Sequence, residues 1–337
     1  MTAIRRWPRP SRIRCIDPEL IPYRAPAWLP GGQAQTLWPL LIKPRPLPLR
    51  RERWTTPDGD FIDVDHLDGP IKAPLLVLFH GLEGSSRSHY AISTAIACQQ
   101  IGWRCVLPHF RGCSGELNQR PRAYHSGDSA EIDWILRRLH AQNDGQRLHA
   151  AGISLGGNTL LKWGGEQGSK ASQLVTGLAA ICAPLDLAAC GHHLAHGFNQ
   201  IYTRHFLSTL KARSAERLRR FPGLFDAASM RRASNLWEFD EAVTGPLHGF
   251  AGADDYWARS SAKPWLGSIA VPTLAVNPKN DPFLPAQYLP SATEVSPSVR
   301  LEQPAAGGHL GFVSGRFPGR LDWLPQRLLH FFLYETS

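Results

Sequence analysis

The 337-residue sequence lacks any apolar run long enough to cross a membrane, which takes roughly 20 consecutive apolar residues in a helix. The longest apolar runs, such as Leu75 to Phe79, have the length of a β-strand. No apolar stretch of signal-peptide length follows the arginines near the N-terminus, which argues against secretion. We therefore expect a cytoplasmic protein without stable membrane insertion.

Cysteine is scarce, and its spacing is not that of a metal site. The six cysteines lie at positions 15, 98, 105, 113, 182 and 190, which predicts buried, reduced thiols. Histidines His192, His193 and His196 could share a helix face and bind a metal, but no carboxylate or cysteine partner is evident. The sequence predicts neither a metal nor another cofactor.

The formal net charge is +9, and most basic residues are scattered along the chain. Two short groups stand out, at Arg50, Arg51 and Arg53 and at Arg217, Arg219 and Arg220. No nucleic-acid-binding motif accompanies them, so we predict a solvated basic surface and no nucleic-acid partner. The alternative is a weak role toward an anionic membrane or an anionic substrate.

Buried strands alternate with helices over most of the chain. The patterns predict a hairpin at 51–55 and 61–66, further strands at 75–79, 105–107, 178–182, 271–276 and 299–302, and helices at 89–100, 128–141 and 321–334. The alternation of apolar and acidic residues from Phe61 to Asp65 predicts that this hairpin is antiparallel and half-exposed. Strand alternating with helix implies right-handed crossovers and a mostly parallel sheet.

A long segment interrupts this alternation. Residues 186–265 have a helical pattern without clear strands, and such a connection is unusually long. We interpret it as a helical cap over the active site. Residues 1–45, rich in proline and tryptophan, are expected to wrap the core, and the whole chain 1–337 is predicted to form one domain.

The sequence around Ser154 predicts a strand, a sharp turn and a helix. It contains Gly152-Ile153-Ser154-Leu155-Gly156, the G-x-S-x-G pattern of the nucleophile elbow of α/β-hydrolases. The turn strains the serine backbone, and glycines at 152 and 156 avoid collisions that side chains would cause there. Ser154 is therefore a candidate nucleophile, although an ordinary strand-to-helix turn would leave a similar pattern.

A serine nucleophile needs an adjacent base, and the base needs a third group to orient it. In this fold the order along the chain is Ser, then Asp or Glu, then His. Asp281 follows one buried strand and His309 follows the next, so both would lie beside Ser154 at the carboxyl ends of the strands. We predict a triad of Ser154, Asp281 and His309. Asp186, which follows an earlier strand, is the competing acid.

Acyl transfer also needs N–H donors for the oxyanion. We predict the backbone N–H groups of Leu155, directly after the nucleophile, and of Leu82, in a loop after the 75–79 strand. In the same loop, His80 is interpreted as a structural histidine. Arg111 either binds a substrate carboxylate or phosphate or, as is more common, braces loops. Cys113 could be a second nucleophile, but no local base pairs with it in the sequence.

Several segments together resemble a known family. They are Gln35-Thr36, His80 to Ser85, His109 to Gly115, Tyr124 to Gly127, Gly152 to Asn158, Asp281 to Phe283 and Gly307 to Phe312. This set resembles the YheT-like hydrolases, the AB-hydrolase-4 family of α/β-hydrolases, which includes eukaryotic lipid-acting members. The resemblance implies a serine esterase with the triad named above. It leaves the substrate open, and the membrane anchor of some eukaryotic relatives is not evident here.

The sequence thus predicts an α/β-hydrolase fold, with a mostly parallel central sheet flanked by helices and a helical cap insertion. The predicted function is hydrolysis of small-molecule carboxylic esters through an acyl-enzyme on Ser154. A thioesterase or a lipase acting on longer acyl chains is the near alternative. A catalytically idle hydrolase fold that binds a ligand is the alternative of a different class, and an intact Ser, Asp and His argue against it. The oligomeric state is left open.

Overall fold

The computed structural model describes residue 16, residues 22–42 and residues 44–336. The other positions, which include Cys15 and much of the predicted wrapping segment 1–45, lie outside the described residues. The five remaining cysteines are all buried and unpaired, as predicted.

One eight-stranded sheet forms the centre of the described structure. Its strands are β1 (Arg50–Thr55), β2 (Phe61–Leu67), β3 (Leu75–Phe79), β4 (Arg104–Pro108), β5 (Leu148–Ile153), β6 (Gly177–Ile181), β7 (Thr273–Val276) and β8 (Val299–Glu302). Their spatial order is β1-β2-β4-β3-β5-β6-β7-β8. Strand β2 pairs antiparallel with β1 and with β4, and the other neighbours pair parallel. This confirms the predicted mostly parallel sheet.

Helices cover both faces of the sheet. They are α1 (Gly32–Leu37), α2 (His89–Gln100), α3 (Ser129–Ala141), α4 (Leu155–Gln167), α5 (Leu187–Leu194), α6 (Gln200–Arg220), α7 (Ala227–Arg232), α8 (Leu236–Phe239), α9 (Gly245–His248), α10 (Ala253–Ser260) and α11 (Trp323–Tyr334). Since side chains alternate across a strand, Val77 joins the apolar cluster that includes α3 and α4, whereas Leu76 and Leu78 join the cluster that includes α2 and α11. The sheet is thus buried on both sides, which explains the continuous apolar runs in the sequence.

Strand β2 is more buried than its alternating pattern predicts. Asp63 and Asp65 are both buried, because arginines of β1 cover them: Arg53 Nε lies 2.8 Å from Asp63 Oδ1, and Arg51 Nε lies 2.7 Å from Asp65 Oδ1. The predicted antiparallel hairpin is present, but its exposed residues lie on β1, whereas β2 is almost entirely buried. Paired acidic residues can occupy a buried face when cations on the next strand neutralise them.

The segment between β6 and β7 contains helices α5 to α10. Within it, the basic group of Arg217, Arg219 and Arg220, predicted to be solvated, divides between two environments. Arg217 is only 7% exposed, whereas the Arg219 side chain is 76% exposed and pairs with Glu216. Residues two positions apart on a helix point in nearly opposite directions, so one basic run can supply both a buried and a solvated cation.

Candidate active site

Ser154 lies in the tight turn between β5 and α4. Its φ of 51° and ψ of −120° belong to a region that residues other than glycine rarely adopt. A Cβ atom at position 152 would lie 2.4 Å from the carbonyl oxygen of Gly156, and one at position 156 would lie 2.5 Å from that of His80. The predicted requirement for glycine on both sides of Ser154 is therefore confirmed.

Three residues predicted from separate parts of the chain lie together at the carboxyl ends of β5, β7 and β8. His309 Nε2 is 3.0 Å from Ser154 Oγ, and His309 Nδ1 is 2.9 Å from Asp281 Oδ2. The side chains are nearly enclosed, since Ser154, Asp281 and His309 are 8%, 5% and 8% exposed. A carboxylate can only accept, so Asp281 favours a proton on Nδ1 and leaves Nε2 as an acceptor for the serine hydroxyl.

The phenyl ring of Phe283 fixes the plane of this imidazole. Phe283 stacks on His309 with ring centroids 3.8 Å apart and planes 9° apart. Its backbone N–H also donates to Asp281 Oδ1 over 2.8 Å. One residue therefore orients both the carboxylate and the ring that the carboxylate contacts. The sequence analysis did not single out this position, although Asp281-Pro282-Phe283 is one of the segments that carried the family resemblance.

The loop that carries His309 is held by helix α1. The backbone N–H of His309 donates to Thr36 Oγ1 over 2.8 Å, and the Thr36 hydroxyl donates to Gly32 O. Gln35 Oε1 accepts from the Gly307 N–H and from Asn280 Nδ2, the residue before Asp281. Gln35 and Thr36 thus link the loops of the acid and the base. Sequence reasoning assigned them no role, and only the family resemblance pointed to them.

The loop after β3 places the Leu82 backbone near Ser154. Its neighbours are held by two tyrosines: the Gly81 N–H donates to Tyr90 Oη, and the Glu83 N–H donates to Tyr124 Oη. Among the described residues, the Leu82 N–H itself has no acceptor. Leu155 is the first residue of α4, where a backbone N–H has no partner within its helix. The two backbone N–H groups predicted to bind the oxyanion are therefore available beside the serine.

His80 connects two loops of the site. Its Nδ1 lies 2.7 Å from Gly81 O, and its Nε2 accepts the Phe110 N–H over 3.0 Å. Burial lowers the pKa of His80 to about 3, so the ring is neutral and donates only through Nδ1. This confirms the structural interpretation of His80.

The two open assignments around residues 111 and 113 are resolved by their partners. Arg111 is 2% exposed and bonds to Glu131, Asp58 and Asp60, so it braces loops and has no free donor pair for a substrate. Cys113 contacts the Arg213 guanidinium at 3.1 Å, but burial raises the pKa of its thiol to about 12. A protonated, enclosed thiol is a poor nucleophile.

Asp186 lies at the start of α5, where its side chain accepts the N–H of Ala189 over 3.0 Å. It is therefore a helix cap, and it does not contact His309. Among the described residues, the side chains of Cys182, Asp281 and His309 lie close enough together to hold a metal ion, whereas His192, His193 and His196 form no such group. Burial and the nearby Asp281 carboxylate raise the pKa of the Cys182 thiol, which accepts the Leu310 N–H.

Two spaces meet at Ser154. The first, here called the inner cavity, is lined by Leu82, Ser154 and Leu155 on one side and by residues of α5, α6, α8, α9 and α10 on the other. The second, here called the outer groove, is lined by Ser154, His309 and residues of the segments 36–42 and 44–46. Ser154 lines both spaces, whereas His309 lines only the outer groove.

Comparisons with known proteins agree with this architecture. A family model described as alpha/beta hydrolase fold matches residues 74–315. YheT of Escherichia coli (strain K12), which is named as an esterase, is 39% identical to this protein, and the alignment covers 82% of this chain and 82% of the YheT chain. Phospholipase ABHD3 of Mus musculus is 29% identical over 90% of this chain and 76% of its own.

A solved structure shares the fold. The esterase Pf2001 of Pyrococcus furiosus has a TM-score of 0.53 at 13% identity and covers 88% of this chain and 100% of its own. Within the described residues, no helix is both long enough and apolar enough to span a bilayer. The fold and these relatives together show that the chain belongs to the α/β-hydrolase fold family and, within it, to the YheT-like hydrolases.

Proposed function

We propose that the protein is a serine hydrolase that cleaves carboxylic esters through an acyl-enzyme on Ser154. One observation carries the proposal: a continuous hydrogen-bonded path runs from Ser154 Oγ through both nitrogens of His309 to Asp281, over 3.0 Å and 2.9 Å. Serine becomes a useful nucleophile when an imidazole in this position takes its proton.

In the first half-reaction His309 Nε2 takes the Ser154 proton while Oγ attacks the ester carbonyl. The carbonyl oxygen becomes negative and accepts hydrogen bonds from the N–H groups of Leu82 and Leu155. Asp281 stabilises the imidazolium without taking its proton. Collapse of the intermediate breaks the bond to the alcohol oxygen, which takes the proton from Nε2.

In the second half-reaction His309 takes a proton from water, and the resulting hydroxide attacks the acyl carbonyl. Collapse of the second intermediate releases the carboxylic acid and returns the proton to Ser154 Oγ. The same imidazole thus acts as base and acid in turn. No oxidant, metal or other cofactor is needed to balance these steps.

The two spaces at Ser154 suggest where the two halves of the ester lie. The alcohol oxygen receives its proton from His309, so the alcohol belongs on the side that His309 lines, the outer groove. The acyl group then occupies the inner cavity, beneath helices α5 to α9. In this arrangement the helical segment 186–265 acts as a cap over the acyl group, and the leaving alcohol has a path to solvent.

A second candidate is hydrolysis of longer acyl chains, as in a lipase or a thioesterase. It is favoured by exposed apolar residues that line the outer groove, where Leu40 is 59% and Ile201 is 48% exposed. The phospholipase name of one relative fits the same reading. Because the chemical steps are identical, chain-length preference separates it from a short-chain esterase.

The test combines a covalent probe with a substrate series. We expect a fluorophosphonate to label the protein once, at Ser154, and the wild-type protein to hydrolyse p-nitrophenyl esters of graded chain length. The Ser154→Ala variant should lose both labelling and hydrolysis. Labelling that persists in this variant, or that maps to Cys113, contradicts the assignment. Absence of both activities in the wild type would favour a catalytically idle, ligand-binding protein.

A further inference from the structure

Helix α6 contributes one face to the inner cavity. The residues on that face recur every three or four positions, as one side of a helix requires: Phe206, Leu210, Arg213, Ser214 and Arg217. Apolar side chains make up most of the surrounding wall. Two arginines on the same buried face therefore need an explanation, because cations in such surroundings are costly unless they are paired.

The first of these arginines is paired. Arg213 contacts Glu83 Oε1 at 3.1 Å and Cys113 Sγ at 3.1 Å. Tyr124 donates to the same carboxylate oxygen over 2.8 Å. Glu83 therefore already serves Arg213 and Tyr124, and its position is set by both.

Arg217 is different. It is 7% exposed and lines the inner cavity, and its side chain makes no hydrogen bond, ion pair or aromatic contact within the described part of the chain. Burial and the positive charge of Arg213 lower its pKa, while Tyr124 and Glu83 act in the opposite direction. A guanidinium nevertheless stays protonated in proteins.

The other ionisable groups in the cavity wall do not neutralise Arg217. Arg111 is held by Asp58, Asp60 and Glu131. Asp240 accepts from Thr244 Oγ1 and Trp257 Nε1, and burial raises its pKa to about 6. His248 is neutral, since burial lowers its pKa to about 3. Arg217 is therefore a cation of this wall that forms no ion pair with a described acidic residue, and the one carboxylate that attracts it, Glu83, is already paired with Arg213.

We propose that Arg217 binds an oxyanion, a carboxylate or a phosphate, carried at the far end of the substrate's acyl chain. The inference rests on the proposed esterase function, and it narrows the substrate class to esters of acids that bear a second anionic group. A guanidinium presents a planar pair of donors that matches both oxyanions. The neighbouring apolar wall would contact the chain between the two ends.

Helix geometry sets the length of that chain. Phe206 packs against Phe283, which stacks on His309, so this part of α6 lies next to the reacting atoms. Arg217 follows three turns later, about 16 Å along the axis at a rise of about 1.5 Å per residue, and its side chain reaches back toward the N-terminus of the helix. A short dicarboxylate should therefore not bridge the two points, whereas a medium-length chain should.

The kinetic test compares matched pairs of esters. One member is a p-nitrophenyl monoester of a dicarboxylic acid, from succinic to sebacic, and the other is the p-nitrophenyl ester of the monocarboxylic acid of equal chain length. We expect the ratio of kcat/KM for the anionic over the neutral ester to rise with chain length and to reach about ten- to a hundredfold, the range for a hydrogen bond to a charged group. Arg217→Gln should bring the ratio to one or below, and Arg217→Lys should restore part of it.

Arg219→Gln is the matched control, because Arg219 lies on the same helix but points to solvent, and this variant should keep the wild-type ratio. A ratio at or below one for every chain length in the wild type would overturn the inference, as would a high ratio that Arg217→Gln leaves unchanged. If Arg217→Gln lowers the melting temperature, Arg217→Met provides the neutral variant with a similar apolar stem.

A binding measurement keeps this inference separate from the proposed function. Calorimetry on Ser154→Ala, in which Arg217 is intact, would compare methyl octanoate with monomethyl suberate and with its ω-phosphono analogue. We expect both anionic esters to bind more tightly than methyl octanoate, and the advantage to vanish in the Ser154→Ala/Arg217→Gln double variant. The tighter of the two anions identifies the oxyanion. Equal binding of all three esters refutes the anion site, whereas a wild type that binds the anions but hydrolyses no ester refutes only the esterase proposal.

Discussion

The Asp281→Asn substitution exchanges one carboxylate oxygen for an amide nitrogen, and the surrounding hydrogen bonds determine which oxygen is exchanged. Asp281 Oδ1 accepts the Phe283 N–H over 2.8 Å, and Oδ2 lies 2.9 Å from His309 Nδ1. An NH₂ group at the Oδ1 position would face the Phe283 N–H, donor against donor. The asparagine oxygen therefore takes the Oδ1 position, and its NH₂ group faces His309.

This orientation reverses the hydrogen bonding of the imidazole. The Oδ2 position lies 2.9 Å from His309 Nδ1 and the Oδ1 position 3.2 Å, so the NH₂ group becomes the nearer neighbour of Nδ1. We therefore expect Nδ1 to accept, and the ring proton moves to Nε2 and donates to Ser154 Oγ. An Nε2–H cannot take the serine proton, which removes the base from the reaction. The same substitution lowers kcat by about 10⁴ in serine proteases through the wrong tautomer, and we expect a loss of about 10³ to 10⁴ here. The fold should persist, because the side chains have the same shape and both hydrogen bonds are kept.

The assay measures kcat with p-nitrophenyl butyrate and the melting temperature for Asp281→Asn and for Asp186→Asn. The second variant is matched in chemistry, since Asp186 caps α5 and asparagine caps a helix about as well as aspartate. It should leave both quantities near those of the wild type. If Asp281→Asn stays within about tenfold of the wild type, or if Asp186→Asn is the slower enzyme at unchanged melting temperature, the reasoning about the acid is wrong.

Two further predictions concern the loop around His309 and the buried thiol. Thr36→Val removes the acceptor of the His309 N–H at nearly constant side-chain volume, so it should lower the free energy of unfolding by about 1 to 3 kcal/mol and lower kcat. Thr36→Ser keeps the hydroxyl and should retain most of the stability and of kcat. Denaturant unfolding and ester hydrolysis measure these effects, and equal behaviour of the two variants would contradict the role of the hydroxyl. Burial raises the pKa of the Cys113 thiol to about 12, so iodoacetamide at pH 8 should leave the folded enzyme active. Mass spectrometry should then find Cys113 unmodified. Rapid modification of Cys113 with loss of activity would show that the thiol is accessible.

Most of the strands could be predicted because the hydrophobic pattern of each one is contained in its own short stretch of sequence. A parallel strand covered on both faces is a continuous apolar run. The predicted strand from Leu75 to Phe79 is present with the same bounds, and the one predicted at 271–276 is present as Thr273 to Val276. The burial of strand β2 was not predicted, for the opposite reason. Acidic residues on a strand indicate an exposed face only if no other residue covers them. The arginines of β1 cover the acidic residues of β2 by forming ion pairs, which the pattern of a single strand does not show.

The candidate triad was also predictable, since each member follows a strand and the carboxyl ends of parallel strands meet. Its supports were not. Thr36 holds the backbone of His309 across 273 positions, and Gln35 holds Gly307 across 272. A polar residue in a short N-terminal helix has no local feature that distinguishes such a bond from contact with water. The proposed base is therefore positioned only when the beginning of the described chain packs against its end.

Two buried arginines show that the net charge of a sequence does not reveal the role of an individual cation. From the sequence, Arg111 was a candidate substrate contact or loop brace, and Arg217 belonged to a basic group predicted to be solvated. In the structure both are buried in the wall of one cavity, but three carboxylates surround Arg111, whereas none of the described acidic residues pairs with Arg217. A paired buried cation strengthens the scaffold, and removing one of its partners would leave an uncompensated charge. An unpaired cation at the far end of a cavity that Ser154 also lines can be compensated by the substrate. The missing partner of Arg217, and not its charge alone, therefore indicates an anionic ester.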